Sequence, residues 1–192
     1  MKINKKQYIV LFGSFIQGIG YGIAWPVLHK ELVSNISSRM ISLEQVIAYL
    51  SIMIVSFYWD KIKDWFMKNY VRLETIESIL LTIFYIYFLF SWNPIIFFMA
   101  DVLYFSLVGG LLTRCTTTGR ALLFPTTEEK INADANHDFI IGLSSIIGYT
   151  FSIFCVISLS SALIVFLISD LIRTFSKIWT YKKYKEYFLK RE

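Results

Sequence analysis

An all-α membrane protein of six transmembrane helices, with both termini cytoplasmic, is the architecture this 192-residue sequence predicts. Two observations carry that expectation. Six apolar stretches fill the chain as a single domain, at Tyr8–Leu28, Ile41–Trp59, Leu73–Phe90, Pro94–Thr113, Phe139–Ser158 and Leu159–Ile178. Each is close to the roughly 20 residues that a helix needs to cross the hydrocarbon core. Lipid offers no partner to free backbone N–H and C=O groups, so such stretches must be helical. The 19 Lys and Arg residues also sort by side: with the first stretch starting inside, only Lys30 and Arg39 fall in outward loops. That is the positive-inside pattern, and a water-soluble fold has no reason to produce it.

The elements follow in order. Lys2, Lys5 and Lys6 precede the first stretch. Its uncharged run is too long for a signal-peptide core and no small-residue cleavage site follows, so an uncleaved first span is expected. Within it, Gly18 and Gly22 form a small-xxx-small face that lets another helix backbone approach closely. Ser14 and Gln17 place uncharged polar groups at membrane depth, where they can line a pathway, and Pro26 removes one backbone bond near the outer end. The second span carries Glu44 near its outer end, where solvation is expected, and closes on Ser56, Asp60, Lys61, Lys63 and Asp64. Glu74 and Glu77 stand at the cytoplasmic foot of the third span, within expected reach of Lys61, Arg72 or Arg120.

Ser91-Trp92-Asn93 joins spans three and four, and Ser158 to Ser161 joins five and six; connections this short make antiparallel neighbours. Asp101 lies about two turns into span four and is the deepest carboxylate. Each ionisable group within a span costs about 2.5–3.5 kcal/mol at the bilayer centre on insertion scales and needs a reason. Asp101 is either a proton-coupling group or a hydrated carboxylate near the outer headgroups. Asp170 and Arg173, three residues apart in span six, are expected to pair on one helix face. Residues 179–192 form a basic cytoplasmic tail of alternating rings and lysines, read either as a stop-transfer cluster or as a helix on the inner leaflet.

Several function classes fall away. A formal net charge of +5 is compatible with nucleic acid, but the basic residues cluster at span ends, where they suit topology and anionic lipid instead. His29 and His137 lie on opposite sides, and Cys115 and Cys155 are likewise separated by the membrane, so neither pair makes a metal site, nucleophile or disulfide. The phosphate-cradling glycine loop of an ATPase is not seen. No enzyme activity, metal or cofactor is expected. Richness in Ile, Lys, Asn, Tyr and Phe points to an AT-rich coding genome and a bacterial cell membrane.

Two inward segments resemble a known family. Ser56, Asp60 and Lys61 keep part of the spacing of the loop between helices two and three of the major facilitator superfamily, Ser56 standing where that motif begins with glycine. Arg120, Pro125, Glu128, Glu129, Ala135 and Asn136 keep the order of a segment before helix five in its macrolide-efflux and siderophore-export branch. The run LFGSFIQGIGYGIAWPVLHKEL resembles that branch's first helix, and Glu74 falls where such proteins place an acidic residue. The later glycine and arginine of the first motif are missing, as is the proline expected before Arg120. The resemblance covers the N-terminal six-helix half of a twelve-helix design.

What it implies is a half-length facilitator-type transporter. As a homodimer, or with a second six-helix half, it would export a small amphipathic molecule. Gln17 and Asp101 are then the substrate or coupling candidates, and Asp60, Lys61, Arg120 and Asn136 organise the cytoplasmic gate with Ser56, Glu74 and Pro125. The rival reading is a non-transporting immunity or accessory protein that retains the half-fold. Membrane lipid is the expected surroundings in both, with no nucleic-acid partner.

Overall fold

The computed structural model describes residues 7–104, 111, 118, 123, 124 and 126–184. Arg120, Pro125 and Cys115 lie outside them, as do most of residues 105–113 and 185–192. Five helices are described: α1 (Tyr8–Asn35), α2 (Ser38–Phe90), α3 (Pro94–Leu103), α4 (Thr127–Phe154) and α5 (Leu159–Lys183). All but α3 are long and apolar enough to cross a membrane.

Two boundaries depart from expectation for local reasons. Helix α4 starts at Thr127, well before Phe139, because Thr126 and Glu129 build a reciprocal cap. The Thr126 hydroxyl accepts from the Glu129 N–H at 3.3 Å and donates to Glu129 Oε2 at 3.0 Å, a variant of the capping box in which the glutamate meets the cap hydroxyl instead of the cap N–H. Much of the expected inward loop before span five is therefore helical. Helix α1 continues past Leu28 to Asn35, its last turn closed by Ser34 and Asn35 side chains donating to the Lys30 and Glu31 carbonyls.

The larger difference is α2. Spans two and three were expected as separate helices joined by a loop at Asp60–Arg72; instead one helix of 53 residues runs through that segment. The segment holds no Gly or Pro to stop a helix, and Lys63 bonds Asp60 at 2.8 Å, one turn away on the same helix. A straight helix of that length would measure about 80 Å. This one is not straight, because Ile41 near its start packs on the same apolar core as Tyr85 and Phe88 near its end.

Helix α1 is the hub, clasped by α4 and α5 through small residues. Gly18 faces Ser144 and Gly22 faces Gly148, so α1 and α4 run parallel. Gly13 faces Ser176 and Gly20 faces Ser169, so α1 and α5 run antiparallel. The approach is close enough that a Cβ on Gly22 would lie 2.8 Å from the Ser145 carbonyl and 2.9 Å from Gly148 Cα. Close backbone packing of this kind replaces the hydrophobic drive that lipid cannot supply. The second half of α2 lies antiparallel to α5, with Tyr181 donating to the Met67 carbonyl at one end and Tyr85 against Phe166 at the other. Around this frame Leu28, Leu32, Phe88, Phe97 and Leu163 form the main apolar core.

Candidate functional site

A cavity of about 570 Å³ opens between the second half of α2 and α3. Its size falls in the range of small-molecule sites. Helix α3 is started at this place by Asn93, whose side chain accepts from the Ile95 and Ile96 N–H groups at 3.0 and 3.1 Å, and by Pro94 in its first turn. An aromatic cluster then locks α3 against α2: the Phe97 ring lies 5.1 Å from Phe88 and 6.0 Å from Phe84. One turn further along α3 this registers Asp101 on the cavity wall, and Tyr104 after it donates a short hydrogen bond to Glu77 Oε1. The walls are mostly apolar and aromatic, Trp65, Phe66, Leu80 and Phe84 among them, and no described lining residue is Lys or Arg.

Beneath the cavity a buried ionic network ties α2 to α5. Lys177 pairs with Glu74 at 3.1 Å, and Arg173 pairs with Asp170 at 2.8 Å and reaches Glu77 at 3.7 Å. The Asp170–Arg173 pair is the expected one. The described cationic partners of Glu74 and Glu77 are not: α5 supplies them, rather than Lys61 or Arg72, and Arg120 lies outside the described residues. Complementary faces make this possible, since Glu74 and Glu77 stand one turn apart on α2 and Arg173 and Lys177 one turn apart on α5. Three carboxylates thus share two cations, and Glu74 Oε2 and Glu77 Oε2 are buried without a hydrogen-bond partner.

Of the residues singled out from the sequence, Asp101 is buried on the cavity wall and Glu74 is buried in the ionic network next to it. Glu44, expected in solvent, is half-buried and close enough to Asp101 for the two carboxyls to interact electrostatically. Gln17 is half-buried on α1 and is not among the lining residues. Asn136 is buried and donates to Gln7 Oε1 at 3.3 Å. Ser56 and Lys61 lie on the continuous α2, where the Ser56 hydroxyl donates back to the Ile52 carbonyl and Lys61 lies over the Tyr58 ring. Asp60, its side chain 90% exposed, is held only by Lys63 among described ion pairs. Asp60 and Lys61 are therefore not joined to Asn136.

The residues that sequence reasoning missed are Tyr85, Tyr104 and Lys177. Their signal was the charge complementarity of the two helix faces, legible once α2 and α5 are known to be antiparallel. An all-helical protein with helices fit to cross a membrane, and with a mostly apolar cavity bordered by two buried carboxyls, is the class that fold and site define. Comparisons with protein-family models, with curated proteins and with solved structures find no match.

Proposed function

We infer that the chain is a six-span protein of the bacterial cell membrane that acts as one half of a facilitator-type transporter and moves a small amphipathic molecule. The observation that carries the reading is the cavity: apolar walls for an amphipathic body, with Asp101 and Glu77 placed at its edge. Helix directions support the six-span layout. Helices α1 and α4 are parallel and α1 and α5 antiparallel, and the second half of α2 opposes both α5 and α3. Those are the relations of spans one, three, four, five and six in a chain that crosses at every apolar stretch. The two limbs of α2 then serve as spans two and three.

In this reading a second copy or a second six-helix chain encloses the pathway, and Asp101 with Glu44 carries the proton exchanged for substrate. The test is flux in reconstituted vesicles together with mass in mild detergent. A dimer or two-chain complex with proton-coupled flux that Asp101→Asn abolishes supports the reading. Flux unchanged by Asp101→Asn removes Asp101 from the mechanism. The second reading, a non-transporting accessory protein, is favoured by Asp60: the family's loop motif needs a turn, and Asp60 sits on an unbroken helix paired with Lys63. A stable monomer without flux would select it.

A further inference from the structure

We propose that the α2–α3 cavity is a binding site for an organic monocation, an amine or quaternary onium group carried on an aromatic or aliphatic body. The proposal deepens the transport reading by naming its substrate class, but the site stands or falls on binding alone.

Four observations point to that chemistry. The cavity borders two buried carboxyls, Asp101 and Glu77, from opposite helices. Glu77 is nearly inaccessible, its Oε1 takes the Tyr104 hydroxyl and its Oε2 lacks a hydrogen-bond partner, so its charge acts on the cavity through space rather than by direct contact. The nearby cations do not complete its pairing: Arg173 stands 3.7 Å from Glu77 and 2.8 Å from Asp170, and Lys177 is engaged by Glu74. The rest of the wall is aromatic and aliphatic. Phe84, Tyr85 and Tyr104 are among the lining residues, and aromatic rings attract a cation placed over their faces, while Trp65, Phe66 and Leu80 offer apolar surface to a hydrophobic body.

Other ligand classes fit less well. An anion would face two carboxyls with no described Lys or Arg on the wall. A metal ion needs several oxygen, nitrogen or sulfur donors, and no group of three His, Cys, Asp or Glu able to hold one exists among the described residues. A lipid acyl chain would fill the apolar walls but leave the carboxyls unanswered. Only a cation with an apolar body answers both.

The experiment measures saturable binding of tetraphenylphosphonium and of tetraphenylborate, which have nearly the same shape and opposite charge, to the full chain in detergent. Equilibrium dialysis, with excess unlabelled probe subtracted, reads specific binding. Tetraphenylphosphonium is expected to bind at one site per chain while tetraphenylborate shows no saturable component. Asp101→Asn should weaken the cation about tenfold or more, as loss of a buried charge pair does. Leu80→Trp, on an exposed wall position outside the ionic network, should block the site without touching the charges. Equal binding of both probes, or cation binding unchanged by both substitutions, overturns the proposal. Vesicle flux is read separately. Specific cation binding without flux keeps the site and removes transport, whereas flux of other compounds without cation binding keeps transport and removes the site.

Discussion

Glu74 of α2 and Lys177 of α5 meet at 3.1 Å, and the Glu74 side chain is wholly shielded from solvent. Removing one partner strands the other as a buried charge, which costs about 3–5 kcal/mol. Lys177→Ala should therefore lower thermal stability in detergent sharply, whereas Glu74→Gln with Lys177→Met should recover much of the loss. A double-mutant cycle followed by thermal unfolding measures this. Single variants as stable as the parent would show that the pair does not hold α2 to α5.

The α1–α4 contact makes an independent prediction. Gly22→Ala places a methyl group 2.8 Å from the Ser145 carbonyl and the Tyr149 nitrogen, so the helices must separate, at about 1–3 kcal/mol. Gly142→Ala is the matched control, since nothing lies within 4 Å of its added Cβ. Relief of glycine's backbone entropy there should leave stability unchanged or raise it by up to about 1 kcal/mol. Comparable losses at both positions would sink the account of the seam.

Topology can be read by labelling. In a chain with Cys115→Ser and Cys155→Ser, single cysteines at Asn35 and Asp64, both exposed, should react with a membrane-impermeant maleimide from opposite sides. The six-span layout puts Asn35→Cys outside and Asp64→Cys inside. Labelling of both from one side would rule out the six-span layout.

The cap of α4 predicts a local effect. Thr126→Ala removes both reciprocal bonds with Glu129 and should cost about 1 kcal/mol. The loss should appear as faster amide exchange at Glu128–Lys130 while the Gly18–Gly22 seam stays protected. Uniform acceleration along α4 would mean that the cap does more than hold its first turn.

Much of this was legible in the chain. Apolar runs and sorted lysines give helices fit for a membrane, because backbone groups in lipid must pair within the helix. Gly18 and Gly22 announced a close helix contact, and Asp170 and Arg173, one turn apart, announced their pair. The capping box at Thr126 and Glu129 was also present in the residues, although the expected loop obscured it. Neither Asp60 nor Lys61 could reveal that its loop is helix, since charged residues without Gly or Pro suit either state.

What the sequence by itself determined is that this chain folds as apolar helices, because composition and period act locally along the chain. Which charges meet was decided by tertiary structure alone. Glu74 and Lys177, Glu77 and Tyr104, and Glu77 and Arg173 lie tens of residues apart, and helix direction and register bring them together. The same packing turns two isolated carboxyls into the wall of one cavity.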